Sequence, residues 1–218
     1  NVGDNYKHNE IINVWYKTSA IVNKRLYAGN VSYFENNNPA QYDGDLGTMP
    51  ITNYTDRILV SPVNKFDILP TQTFVRLSRT AGQSIVSLES LGVYLFIYKN
   101  SDLFILDCSG ESEELSNTFY GQGIISPLHL IKSQNIIYSI NERGLFSCNG
   151  QEVNHLSKGK ISSSYWVNNI FSGNSKIMHD PEYNLLLITT RYDGTDVISD
   201  TPKHLLIYNI DTNSFFLK

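Results

Sequence analysis

The sequence predicts an all-β chain, a β-propeller or partial propeller of antiparallel blades, and three observations carry that expectation. First, one pattern recurs: a polar residue, four or five mostly apolar positions, a polar turn and a second short apolar run. It reads NKRLYAGNVSYF from Asn23, DRILVSPVNKFDIL from Asp56, GVYLFIYKNSDLFILD from Gly92, NIIYSINERGLFSCNG from Asn135, and NLLLITT with HLLIYNIDTNSFF from Asn184. Each copy reads as a β-hairpin. Second, successive copies begin roughly 33 to 49 residues apart, the length of a propeller blade. Third, 12% of the chain is aromatic, with 14 Tyr and 10 Phe, residues that favour half-buried pleated surfaces. A sustained 3.6-residue apolar period over ten or more positions is missing, so any helix is expected to be short.

In chain order, residues 1–10 are polar, and 11–16, IINVWY, read as a strand leading into the first copy. Residues 35–54 are dense in Asn, Asp, Gly and Pro and predict an exposed loop. FVRL from Phe74 and SIVSLES from Ser84 read as strands flanking a turn at 80–82. The hairpin from Gly92 turns at Lys99-Asn100-Ser101-Asp102, and the one from Asn135 turns at Asn141-Glu142-Arg143-Gly144 and leaves through Asn149-Gly150. Residues 110–117, with Glu111, Glu113 and Glu114, read as a solvated acidic loop. GQEVNHLS opens another edge, KIMHDPEYNLLLITT continues the strands, RYDGTDVISDTPK is a second long polar loop, and the last hairpin turns on Asp211-Thr212-Asn213. The expected organisation is an N-terminal extended segment over 1–20 and blades over 21–218. Leu95, Ile97, Ile137, Leu186 and Ile188, at matching places in the apolar runs, are the expected core.

The 218 residues fit one large all-β domain. The net charge is -4, and with no Lys/Arg-rich run the electrostatic footprint of a sequence-independent DNA binder is missing, so no specific nucleic-acid binding is expected either. The longest apolar run, near 93–98, is far shorter than the ~18 residues a membrane span needs. Cys108 and Cys148 close equivalent apolar runs and read as two buried free thiols rather than a disulfide. The opening NVGDNYKHNE has neither a basic nor an apolar leader pattern, so the sequence is read as a processed product or a segment of a longer polypeptide.

Candidate chemistry is thin. Asp43, Asp45 and Gly47 resemble the start of a calcium loop without the later bidentate Glu, and Asp193, Asp196 and Asp200 form a similar carboxylate group. The histidines His8, His129, His155, His179 and His204 show no i, i+4 pairing. The glycines of GQGI, Gly121 and Gly123, lack the strand-to-helix context of a phosphate loop. Arg76, Arg79 and Arg191 could serve a propeller glycosidase on an anionic sugar, but the accompanying Ser-Asp-Gly-Trp box is missing. Tyr42, Tyr54, Tyr165, Trp166 and Tyr192 are candidates for stacking on carbohydrate. No catalytic residue, cofactor site or metal site is assigned.

DRILVSPVNKFDILP, LESLGVYLFIYKNSDLFILD, NTFYGQGIISPLHLIKSQNIIYSINERGLFSCNGQEVNHLS and KISSSYW together resemble a family of tailed-phage virion proteins. The shared pattern covers Arg57 to Asp67, Gly92 to Ile105, Gly121 to Pro127 and Asn141 to Gly150. The family comprises propeller proteins of the tail hub and tail-accessory (stabilisation) apparatus of short-tailed phages, muzzle proteins of crAss-like phages among them. The resemblance implies a structural virion protein of the phage tail that helps build and seal the distal DNA channel. Its implied partners are other tail proteins and copies of itself around the tail axis. An enzyme is not expected. A carbohydrate- or receptor-binding propeller is the alternative, a propeller glycosidase a weaker one. The loops 35–54 and 191–203 are expected to touch neighbouring subunits, and the ring is expected not to close within this chain.

Overall fold

The computed structural model describes residues 14–34, 51–77, 83–190 and 205–218. They form four sheets, each a four-stranded antiparallel meander of consecutive strands. Sheet 1 holds β1 (Trp15–Val22), β2 (Arg25–Phe34), β3 (Ile51–Val60) and β4 (Phe74–Arg76). Sheet 2 holds β5 (Ile85–Leu91), β6 (Tyr94–Lys99), β7 (Asp102–Asp107) and β8 (Glu114–Tyr120). In sheet 3 are β9 (Leu130–Ser133), β10 (Ile136–Asn141), β11 (Gly144–Cys148) and β12 (Val153–His155); in sheet 4, β13 (Ile177–Asp180), β14 (Leu185–Thr189), β15 (Leu205–Asn209) and β16 (Ser214–Leu217). Among the described residues, helix is confined to a 3-10 turn at Pro127–His129, a single turn at Ser163–Tyr165 and a π turn at Trp166–Ile170.

Tight turns fix the registers. Asn23 and Lys24 both take positive φ between the paired Val22 and Arg25, the sign pattern of a two-residue type I′ hairpin turn, whose twist matches that of the strands. Asn30, also left-handed, sits where β2 shifts register against β3, and its side-chain amide donates to Ile85 O at 2.8 Å. A bulge in one sheet is thereby tied to the first strand of the next.

The sheets stack in chain order, each through its own core. Val22, Tyr27, Ile58 and Val60 of sheet 1 meet Leu88, Leu95, Ile97, Phe104 and Leu106 of sheet 2. On the other face of sheet 2, Phe96, Tyr98, Leu103 and Ile105 meet Ile137 and Cys148 of sheet 3. Tyr138, Ile140 and Leu145, from the far side of sheet 3, meet Ile177, Leu186, Ile188, Leu206 and Tyr208 of sheet 4, with Trp166 and Ile170 completing that core. Strands covered on both faces need an unbroken apolar run, which β6 and β7 supply. The expected core residues Leu95, Ile97, Ile137, Leu186 and Ile188 are all fully buried.

Polar groups stitch the same interfaces. Asn23 Nδ2 donates to Cys108 O at 2.7 Å, and Thr18 Oγ1 accepts from Leu88 N–H. Asn117 Nδ2 donates to Gly150 O at 3.0 Å, while Asn141 Nδ2 reaches the carbonyls of Gly121 and Gly123. First strands lie together between sheets 1 and 2, β1 with β5, and between sheets 3 and 4, β9 with β13.

Several expectations change. The copy from Asp56 is not a hairpin: its first apolar run ends β3, and 61–73 form a loop. Pro62 and Pro70 have no N–H for a ladder, and their carbonyls instead accept turn hydrogen bonds from Lys65 and Thr73. The copy from Asn23 is likewise one turn and one long strand, so the first two copies merge into a single sheet and five copies give four sheets. Residues 15–20 belong to β1 rather than to a separate N-terminal segment, and 51–54 belong to β3 rather than to the loop expected over 35–54. The remainder of that loop, all of 191–203 and the turn at 80–82 lie outside the described residues.

Candidate functional site

Many sequence candidates also lie outside the described residues: Asp43, Asp45 and Gly47; Asp193, Asp196 and Asp200; His8 and His204; Arg79 and Arg191; Tyr42 and Tyr192. Among the described residues, no group of three or more His, Cys, Asp or Glu side chains is placed to hold a metal ion, and no helix is long and apolar enough to cross a membrane. Both cysteines are free and buried, where desolvation raises their thiol pKa and disfavours the thiolate.

The aromatic candidates are largely engaged internally. Tyr54 presents its ring to the Arg57 guanidinium at 3.7 Å, Phe74 flanks the same group at 4.2 Å, and Arg57 donates to Tyr33 Oη. The Tyr54 face on which a sugar would stack is therefore covered by a cation. Trp166 is 1% exposed and its Nε1–H donates to Asn141 O at 2.8 Å, so it is a packing residue. Tyr165 is exposed and lines the rim of a groove.

The described charged side chains pair across and within sheets. Arg76 Nε bonds Asp56 at 2.9 Å on sheet 1. Glu113, expected to sit in a solvated acidic loop, instead accepts from Tyr27 Oη at 2.9 Å and faces Arg25 at 3.6 Å, joining sheet 2 to sheet 1. Tyr27 is held far above its ordinary pKa, first by burial. Lys99, part of a turn in the sequence reading, is fully buried at the end of β6, within 3.5 Å of Leu77 O and over the Phe104 ring. Burial lowers its pKa, opposed by the fields of Asp56 and Asp102. The one sequence signal for it is its place at the end of the IYK apolar run.

A groove of about 330 Å³ opens between residues 160–170 and sheet 4. Its walls are apolar: Ile161, Ile170, Leu206, Phe215 and Leu217. Lys160 at its rim has its ammonium committed to Asn213, donating to the backbone carbonyl at 2.6 Å and also to the side-chain oxygen. With that ammonium hydrogen-bonded to Asn213 and no carboxylate among the described wall residues, the groove can hold apolar matter and shows no acid/base pair among them.

The three described histidines sit among packing and hydrogen-bonding partners. His179 Nε2 lies 3.2 Å from Ser133 Oγ and 3.4 Å from Asn184 Oδ1, linking sheets 3 and 4. His155 stacks on Phe146 at 4.4 Å with Nε2 3.1 Å from Ser157 Oγ. Because that hydroxyl oxygen already accepts from Leu145 N–H, its own proton is available to the neutral imidazole. His129 is fully buried against Phe171, neither ring nitrogen has a partner in good hydrogen-bond geometry, and the nearby backbone of Gly173 and Ser172 only partly opposes the effect of burial. Desolvation lowers the pKa of both His129 and His155.

A pH dependence follows. With folded-state values below the ordinary 6.5, the unfolded chain binds more protons as the pH falls. The contribution of the neutral rings is complete above about pH 6.5 and is lost as the pH drops from there through the folded values. Urea midpoints are therefore expected to fall between pH 7.5 and 5.5, and His129→Leu should flatten that slope. An unchanged slope in this variant would show that His129 stays neutral for no energetic reason.

Compared with known proteins, the chain matches no protein-family model and no curated protein sequence.

Proposed function

We propose that the chain is a structural protein of a phage tail, a β-propeller arc that helps build and seal the distal end of the DNA channel. The observation that carries this reading is the serial stacking of four meanders, with the two central sheets packed on both faces and first strands side by side between sheets 1 and 2 and between sheets 3 and 4. Blades pack in this way around a propeller axis, and the sequence resemblance to tail hub and muzzle-type proteins leads to the same architecture. The role is mechanical rather than catalytic. Polar groups such as Asn23, Asn30, Glu113, Asn117 and His179 tie one sheet to the next, as a scaffold under the pressure of packaged DNA requires. An acidic chain of net charge -4 suits a channel wall, since it repels phosphate and lets DNA slide. Its partners are then other tail proteins and copies of itself around the tail axis.

Gold-labelled antibodies raised against the chain should decorate the distal tail of intact, purified particles. Label on the capsid, or on no part of the particle, would overturn the proposal.

A further inference from the structure

The outer face of sheet 4 differs from every other sheet face that continues the stack. Its strands β14 and β15, LLLIT and LLIYN, are apolar at successive positions like β6 and β7, yet their burial alternates because only the face toward sheet 3 is fully covered. The registers place the outward side chains on a grid. A central row runs Met178, Leu187, Ile207, Phe216, each the cross-strand partner of the next. Met178 is 46% and Phe216 54% exposed, whereas the corresponding face of sheet 2 is buried. One flanking row contains Thr189 and Leu205 and ends on Lys176 and Lys218, whose backbones pair with those two residues. The opposite row contains Asp180, Leu185, Asn209 and Ser214, with Asp211 in the adjoining turn. The face is thus an apolar band with lysines at one end and carboxylates at the other.

We infer that this face pairs with the same face of a second copy of the chain, about a two-fold axis that lies between the sheets and runs across the strands. That rotation maps the apolar row onto itself and reverses the strand direction. Lys176 of one copy then stands over Asp180 of the other, and Lys218 comes over Ser214 near Asp211. A two-fold axis along the strands would instead place lysine over lysine, which the charges disfavour. The contact is isologous, so it closes after two copies and does not run on into a fibre. It does not depend on the phage-tail reading.

Four strands about 4.8 Å apart carrying three outward residues each present roughly 400 Å² per copy. The total of about 800 Å² is below the standard size of stable interfaces, so the dimer is weak and in the micromolar range. Sedimentation equilibrium of the full chain should show monomer near ~1 µM and mostly dimer near ~200 µM. The double variant Met178→Glu, Phe216→Glu should remain monomeric at both concentrations, while Tyr120→Glu, at an exposed site on sheet 2, should dimerise normally. Reversing Lys176 and Lys218 to Glu should weaken the dimer at least about tenfold, since like charges would then be opposed. Zero-length carbodiimide cross-linking of a mixture of isotope-labelled and unlabelled wild-type chain should join Lys176 to Asp180 between copies, a readout that needs no variant. A wild-type monomer at the highest concentration, a dimer that survives the double Glu variant, or cross-links only at other lysines would each overturn the inference.

Discussion

Leu95→Asp should leave the chain unable to fold cooperatively. Leu95 is fully buried in the core between sheets 1 and 2, among Leu88, Ile97, Phe104 and Leu106, and the buried Lys99, whose ammonium lies over the Phe104 ring, stands four residues farther along β6. Truncating such a leucine to alanine already costs about 2–5 kcal/mol through lost transfer energy and the cavity left behind. A carboxylate at the same place adds the cost of an unpaired buried group, several kcal/mol more even if it takes up a proton. The sum approaches the whole stability of a typical domain, about 5–15 kcal/mol. In urea titrations followed by circular dichroism, Leu95→Ala should keep a cooperative transition at a lower midpoint, and Leu95→Asp should show no native baseline. Val93→Asp, two residues away in the exposed β5–β6 turn, should change stability by less than about 0.5 kcal/mol. If Leu95→Asp melted like wild type, the assignment of that face to the interior would be wrong.

The same residues show what could be read from the chain and what could not. The hairpins from Gly92 and Asn135 were legible because each is a local object: two apolar runs and a turn, closed within about twenty residues by residue types that suit the turn. Burial of Leu95 and Ile137 followed from their place in those runs. The first two copies misled because composition registers apolar content and not pairing. Whether ILVSP continues into a partner strand depends on Pro62 and on β2 lying alongside, and the latter is a long-range fact. Glu113 looked like loop charge because its partners, Arg25 and Tyr27, stand about ninety residues away in sequence on another sheet. Trp166 and Tyr54 looked like sugar platforms because a buried and an exposed aromatic have the same letter. Lys99 is the sharpest case, since a lysine at a turn is solvated by default and only the fold could have placed it inside.

Gly123 tests the stacking of sheet 3 on sheet 2 in the same quantitative way. The GQGI segment looks like a loop that could cradle an anion, but its glycines serve close packing. After β8 the chain turns back over the β6–β7 hairpin, where Gly123 N–H donates to Ser101 O at 2.9 Å and Ile124 N–H to Lys99 O at 3.0 Å. A Cβ on residue 123 would lie 2.5 Å from Asp102 N and closer still to Lys99 O and Ser101 C. All three are backbone atoms of a paired hairpin, so no rotamer can relieve the clash. The segment must lift away and lose its two hydrogen bonds, together with the one Asn141 Nδ2 donates to Gly123 O at 3.1 Å. Overpacking of this kind costs about 1–3 kcal/mol, and each lost buried hydrogen bond about 1 kcal/mol more, so Gly123→Ala should destabilise by about 3 kcal/mol or more. Gly121→Ala is the informative comparison. The nearest atoms its Cβ would meet belong to the guanidinium of Arg143, an exposed side chain that can swing away. That leaves the strain of a left-handed alanine at φ +71, about 1 kcal/mol. Paired urea titrations should therefore rank Gly123→Ala well below Gly121→Ala. The opposite order would mean that the segment is held by its backbone conformation rather than by close approach, and that the interface between sheets 2 and 3 does not depend on it.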